Sequence, residues 1–545
     1  MSKNIKLGLA QIDVTVGDFS GNYEKVASYI EKAENDNIDL LVFPELTITG
    51  YPPSDLLLRP NFIAQNLEVL DKIADSVSGQ LYVIIGFVQK QDKKLYNSAA
   101  ILHDNQIIST VSKTLLPNYD VFNEKRYYTP AGENKPVSIN INDQNISLGV
   151  EICEDIWNNA NQRAVTKNLV EQGAELIVNL SASPFDYNKD QIRQKLLKSK
   201  TGKYKRPIAL CNLIGGQDDL IFDGRSLIYD SQSNMIGYGR EFQEDLVAVE
   251  LDMESGVGEK INPEQSSREE KIFNALVLGV KDYFKKSGFE KAVLGLSGGI
   301  DSALTICIAR EALGPDNVTG VAMPSRYTAD MSNDDAFLLA DNLGVNFQNI
   351  PIHDIYESYL NSLEPVLKNT EIGITEENIQ SRIRGDILMA IANKTGALTL
   401  NTGNKTELAL GYCTMYGDMC GAIGVLADLS KEKVYALSKY YNKIKGKEII
   451  PQRIIDRPPS AELKDDQVDP FDYDIVSPLV DDIVVNGKSR QELIEAGYEQ
   501  DLVDETLKMI RRNEYKRSQA ALCLKVTSKA FNRGWIHPIV NKFEE

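Results

Sequence analysis

Lys291–Leu313 reads KAVLGLSGGIDSALTICIAREAL. A short apolar run, AVLGL, is followed by Ser-Gly-Gly, and a helical apolar pattern starts at Ile300. An apolar strand that turns through two glycines into a helix is a building unit of parallel α/β sheets. The glycines permit a tight turn, and successive backbone N–H groups then face the helix N-terminus, which favours an anion there. No lysine follows the glycines, so the G-x-x-x-x-G-K-[ST] phosphate loop is excluded. Ser297 and Ser302 add hydroxyl donors to Gly298, Gly299 and Ile300. Asp301 would repel phosphate unless magnesium lay between them, so it reads as a metal or ribose-side contact.

Working outward, VTGVAM, a helical stretch near Asn333–Asn342 and NFQNIPI continue the strand-helix repeat. That repeat predicts an α/β domain with a doubly wound parallel sheet. Upstream lies the helical pattern IFNALVLGVKDYFKKSG, preceded by the polar, turn-rich DMESGVGEKINPEQSSREE. The reading is a domain over 1–251, a linker over 252–268 and a second domain over 269–545. Two domains suit 545 residues, far above the roughly 100–200 of one ordinary domain. In the first half, the runs IKLGLAQI, LLVFPEL, YVIIGFVQ, ISLGVEIC and ELIVNLSA alternate with helical patterns such as NYEKVASYIEKAEN. Long apolar strands interleaved with helices predict a layered α/β sandwich.

The chain carries 59 Lys plus Arg against 78 Asp plus Glu, a net charge of −19. This argues against a general nucleic-acid or anionic-membrane binder. Six scattered cysteines without a C-x-x-C pair disfavour a disulfide scaffold or structural zinc and fit a reducing cytoplasm. With only His103, His353 and His537, a Ser-His-Asp triad is poorly supported. No run of about 18 apolar residues predicts a membrane span. One local exception to the acidity is Lys508–Arg533, with eight basic residues against Glu514. It reads as a counter-field for polyphosphate substrates.

Three polar residues punctuate apolar runs in the first half. Glu45 sits in LLVFPEL, Lys113 opens KTLLPNYDVFNEKRYY, and Cys153 follows ISLGVEI. Strand ends are where layered α/β folds collect reactive groups. With their flanks, LVFPEL, K-x-x-L-P and EICEDIW, they resemble the nitrilase superfamily, whose Glu-Lys-Cys triad hydrolyses C–N bonds. The resemblance implies an α-β-β-α sandwich and a catalytic set of Glu45, Lys113 and Cys153, with Glu124 of VFNEKRY as a second carboxylate. A thiolate would attack an amide carbonyl, Glu45 would carry the proton, and Lys113 would stabilise the oxyanion. Tyr119, Ser183 in NLSASPFDYNK and Lys189 then match the glutamine contacts of glutamine-using members. Lys189 stands where the family can carry Arg, which keeps the charge and loses the bidentate fork.

SGGIDS resembles the pyrophosphate-binding loop of ATP pyrophosphatases. The further words ENIQSRIRGDILMAIAN, LNTGNKTELALGYCTMYGDM and LSKEKVYAL make both halves together resemble the glutamine-dependent NAD+ synthetase family. The resemblance implies ATP-dependent amidation of deamido-NAD+ with glutamine-derived ammonia. The route is a Cys153 thioester in one site and an adenylated intermediate in the other. It carries Arg326, Thr402 and Lys431 to the ATP site, and Asp301 and Glu407 to magnesium. It carries Asn378, Arg382, Asp418 and Lys516 to the dinucleotide. It also implies a homo-oligomer built on dimers of the second domain. Free ammonia is protonated near neutral pH, so an enclosed path between the sites is expected.

Overall fold

The computed structural model describes residues 4–157, 164–368, 370–464 and 467–543. The chain folds as two compact units, Met1–Gln265 and Ser266–Glu545.

The first unit contains two large sheets. One has seven strands in the order Val257–Gly258, Asp245–Asp252, Asn4–Gln11, Leu40–Val42, Tyr82–Gln91, Lys94–His103, Gln106–Ser112. The other has six, in the order Met235–Tyr238, Leu227–Tyr229, Ile208–Asn212, Leu176–Ser181, Gln144–Ile152, Val137–Ile141. Alternate side chains of both sheets share one core, with Leu7, Leu9, Val42 and Ile84 from the first against Leu148, Val150 and Val178 from the second. Helices Phe19–Asn35 and Pro60–Ser76 cover the outer face of the first sheet. Helices Val165–Glu171 and Lys189–Tyr204 cover that of the second. The order of layers is α-β-β-α.

Three strands, Gln106–Ser112, Val137–Ile141 and Met235–Tyr238, are not announced by apolar runs. All are edge strands with interrupted burial. Part of the stretch read as a linker is also sheet. Val257 and Gly258 pair with Asp252 and Leu251 as an edge, because the turn Asp252–Gly256 folds the chain back.

The second unit has one six-stranded sheet, all parallel, in the order Asn346–Asn349, Val318–Ala322, Ala292–Gly295, Leu398–Asn401, Ile423–Gly424, Leu522–Cys523. Val293 and Val321 pack on one face against helices His353–Leu367 and Ile374–Thr395. From the intervening residue Gly320, the opposite face looks onto Ile306 of helix Ile300–Leu313. Helices on both faces make the sheet doubly wound. A C-terminal helical cluster adds a satellite core through Leu479, Val503, Ile510 and Trp535.

Candidate functional sites

In the first unit, Glu45 follows the strand Leu40–Val42, Lys113 follows Gln106–Ser112, and Cys153 follows Gln144–Ile152. The three strand exits converge. Lys113 Nζ lies 2.7 Å from Glu45 Oε1 and 2.8 Å from Glu124 Oε1, with Lys113 and Glu45 fully buried. Asn97 Nδ2 donates to Glu45 Oε1 at 2.7 Å, and the Ala182 N–H donates to Glu45 Oε2 at 3.0 Å. Tyr51 OH donates to Glu124 Oε1 at 3.0 Å.

Burial alone would lower Lys113. The carboxylates of Glu124 and Glu45 outweigh it and hold the ammonium protonated. Burial, followed by the Glu45 charge, pushes the Cys153 thiol well up, while Lys113 pulls it down. A thiol pushed up in this way needs a base before its sulfur can attack. Cys153 has φ 42°, a left-handed conformation at the first residue of a helical turn, Cys153–Ile156. Such strain in a non-glycine residue points to a functional position. Asn179 Nδ2 donates to the Cys153 carbonyl at 3.4 Å. Gly86 passes beside Glu45, and a Cβ there would lie 2.3 Å from Leu46 N and 2.6 Å from Pro44 O.

Tyr119 OH donates to Glu154 Oε2 at 2.9 Å, beside Cys153. Lys189 starts the helix Lys189–Tyr204 and sets its ammonium 4.7 Å from the Trp157 ring centroid. Ser183 is buried, its N–H bonded to Asn212 Oδ1 at 3.0 Å. The charges of Glu154 and Lys189 act on one another.

In the second unit, the turn Ser297–Ser302 leads from the strand Ala292–Gly295 into the helix Ile300–Leu313. Gly298 has φ 76°, and a Cβ there would meet Ser332 O at 2.4 Å, so only glycine fits. Ser302 Oγ donates to Gly299 O at 3.0 Å, which closes the turn. Lys431 Nζ lies 2.5 Å from Asp301 Oδ2 and 3.3 Å from Glu407 Oε1. Asn404 Nδ2 donates to Asp301 Oδ1 at 3.0 Å, while Glu407 Oε2 accepts the Asn404 N–H at 3.2 Å. Burial pushes Glu407 up to about 7 against the pull of Lys431.

The Ser297–Ser302 turn, Glu407 and Lys431 line a cavity of about 220 Å³ that also holds Thr402, Asp418 and Tyr412. A second cavity, about 240 Å³, shares Ser297, Thr402, Asp418 and Glu462 with it and adds Met323, Arg384 and Leu388. The two cavities thus meet at these shared residues, and the second adds the apolar Met323 and Leu388 beside the charged Arg384.

The four residues assigned to the dinucleotide meet on one segment, Gly411–Asp418. Asn378 Oδ1 accepts from Thr414 Oγ1 at 2.7 Å, and Arg382 Nε donates to Met415 O at 3.3 Å. Asp418 Oδ1 accepts the Thr414 N–H at 2.7 Å, and Lys516 Nζ donates to Gly411 O and Cys413 O, both at 2.8 Å. Arg326 stands apart. It is exposed, lies 3.7 Å from Glu357 and lines neither cavity. The basic stretch Lys508–Arg533 is not a uniform counter-field either. Arg517 is buried on Glu514 and donates to the carbonyls of Leu408 and Ala409, where it caps a helix C-terminus.

Asn97, Tyr51, Asn404 and Arg384 belong to the sites and were not singled out from sequence. Asn97 left a signal, a lone amide in the apolar strand Lys94–His103. No cluster of three His, Cys, Asp or Glu side chains suited to a metal occurs among the described residues. No helix among them is long and apolar enough to cross a membrane.

The family model for carbon-nitrogen hydrolases matches residues 6–257, and that for NAD synthases matches residues 272–520. A glutamine-dependent NAD(+) synthetase of Thermotoga maritima is 42% identical, with all of both chains covered. The chain belongs to the glutamine-dependent NAD+ synthetase family. Another family member, from Synechocystis, is 43% identical over 98% of this chain and 99% of its own. The solved structure of a glutamine-dependent NAD+ synthetase from Acinetobacter baumannii, in complex with adenosine diphosphate, superposes with TM-score 0.80 at 36% identity over 99% of each chain. Within this family frame, the Lys113 cluster falls in the carbon-nitrogen hydrolase match and the Lys431 cluster in the NAD synthase match.

Proposed function

We propose that this chain amidates deamido-NAD+ to NAD+ with ATP, taking the nitrogen from glutamine. The observation that carries the reading is a repeated device. Each unit holds a lysine between two carboxylates, one beside a strained cysteine and one at a glycine-turn helix N-terminus.

In the first site, the Cys153 sulfur attacks the side-chain amide carbon of glutamine while Glu45 accepts the thiol proton. The carbonyl electron pair moves to oxygen, where the Lys113 ammonium stabilises it. Glu124 keeps that ammonium charged and in place. Collapse breaks the C–N bond, the proton goes to nitrogen, and ammonia leaves a thioester. Water then releases glutamate. Tyr119, Ser183 and Lys189 are proposed to hold the amino-acid end of the substrate.

In the second site, the nicotinate carboxylate oxygen attacks the α-phosphorus of ATP and the bond to the β-phosphate oxygen breaks. Pyrophosphate leaves and an acyl adenylate forms. Ammonia attacks the acyl carbon, AMP departs with the bonding pair, and the nitrogen gives up one proton to water to leave the neutral amide. The Ser297–Ser302 turn presents donors to the phosphates, and Lys431 supplies a fixed positive charge. Thr402 would lie on the nucleotide and Asn378, Arg382, Asp418 and Lys516 on the dinucleotide. Arg326 is proposed for the nucleotide as well.

Asp301 and Glu407 suit a magnesium ion, since their oxygens already converge on one cation, the Lys431 ammonium. Bound there, magnesium would neutralise phosphate charge. A homo-oligomer and a cytoplasmic setting complete the reading.

The test compares nitrogen donors. Cys153→Ala should abolish NAD+ formation from glutamine and retain it from ammonium salts. Equal loss with both donors would refute the two-site reading.

A further inference from the structure

Asp155 lies two residues beyond Cys153, inside the turn Cys153–Ile156, with no solvent exposure. Its carboxylate is bonded to two separate chain segments. Oδ1 accepts the Leu115 N–H at 2.8 Å and the Thr114 N–H at 3.0 Å. Oδ2 accepts the Ile152 N–H at 3.2 Å. Thr114 and Leu115 directly follow Lys113, and Ile152 directly precedes Cys153. One side chain therefore ties the backbone that carries the lysine to the backbone that carries the thiol.

We propose that Asp155 is a positioning residue for glutamine hydrolysis, fixing the separation of Lys113 and Cys153. The proposal rests on the reading of that pair as the glutamine-cleaving groups. The Lys113 ammonium is held at its tip by Glu45 and Glu124. The Lys113 backbone is bonded to Asn97 O and the Ala131 N–H, and the Asp155 carboxylate fixes the two residues that follow it against the Cys153 turn. The strained Cys153 turn is held from the same carboxylate, so sulfur and ammonium face a carbonyl from fixed points. A reacting geometry loosened by about 1 Å can cost on the order of 100-fold in rate. No other acceptor of that shape serves. An amide at this position offers one oxygen, and its NH2 group would point a donor at a backbone N–H.

Asp155→Asn in the full-length protein tests this, with Cys153→Ala in parallel. The expected result is a fall of roughly 10–100-fold in kcat for glutamine hydrolysis. KM for glutamine should stay within about twofold, because a positioning loss acts on the transition state rather than on uniform binding. The ammonium-driven rate should be unchanged. An unchanged kcat, a change confined to KM, or a parallel loss of the ammonium-driven rate would each overturn the proposal. If Asp155→Asn does not fold, Asp155→Ser, smaller and able to accept one N–H, is read in the same way. Loss of glutamine binding in both variants assigns Asp155 to folding alone and also overturns it. Glutamine-driven turnover retained in Cys153→Ala would instead refute the underlying reading.

Discussion

Lys431 Nζ and Asp301 Oδ2 lie 2.5 Å apart. The pair joins the first turn of one helix to the first residue of another, and with Glu407 it forms a cation held between two anions. The same arrangement recurs in the first unit, where Lys113 sits between Glu45 and Glu124. In both, two carboxylates offset the cost of burying the ammonium, and burial in turn strengthens the field on a reacting group.

Asp301→Asn removes one of these charges while keeping its volume. Synthesis should fall by ~100-fold or more with glutamine and with ammonium alike, the scale of losing one preorganised charge contact. Cleavage of glutamine, measured as glutamate release, should persist. Normal ammonium-driven turnover would remove Asp301 from the reaction.

Burial pushes Glu124 up to about 7, against the pull of Lys113. Between its ordinary 4.5 and about 7, the folded protein keeps a proton that the unfolded chain has released. The contribution of this group to stability is therefore present below 4.5 and is lost as pH rises to about 7. Activity runs the other way, since the carboxylate pairs fully with Lys113 only above that value. A pH profile of kcat/KM for glutamine hydrolysis should rise to a plateau above about 7, and Glu124→Gln should lack this limb. The same limb in the variant would assign it to another group.

Gly86→Ala should damage the first site without touching its chemistry. Its Cβ would press on backbone atoms of Pro44 and Leu46, which cannot give as a flexible side chain can. The strain, about 1–3 kcal/mol, must shift Glu45. Glutamine hydrolysis should drop about tenfold or more while ammonium-driven synthesis is kept. Full glutamine activity would show that the loop adapts.

Lys405, fully buried, lies 2.8 Å from Asp428 and 3.2 Å from Asp481, one residue after Asn404. Lys405→Met leaves the buried Asp428 carboxylate without its cation, while Asp481 keeps Lys433, and should cost about 3–5 kcal/mol. A melting curve checks this, and adding Asp428→Asn should recover part of the loss through coupling. Additive losses would mean that the pair does not interact.

The turn KAVLGLSGGIDS and the apolar runs carried the two architectures, because buried strands and a glycine turn leave local signals. Glu45, Lys113 and Cys153 were legible from their flanking words. The clamps were not. Asn97, Asn404 and Asp155 act through partners 52, 103 and 41 residues away in sequence, and no local pattern encodes such pairings. Arg517 misled for the same reason. Among its basic neighbours it reads as a surface charge, yet carbonyls more than a hundred residues distant bury it.

The left-handed φ of Cys153 limits what could replace it. A serine keeps an unbranched Cβ and can follow the turn. A threonine or valine brings a second heavy atom on Cβ into a backbone region that branched residues rarely enter. Exchange of the proposed nucleophile is therefore easier by swapping sulfur for oxygen on an unbranched Cβ than by adding a branch there. The elbow constrains the shape of the attacking side chain more tightly than it constrains the element that attacks.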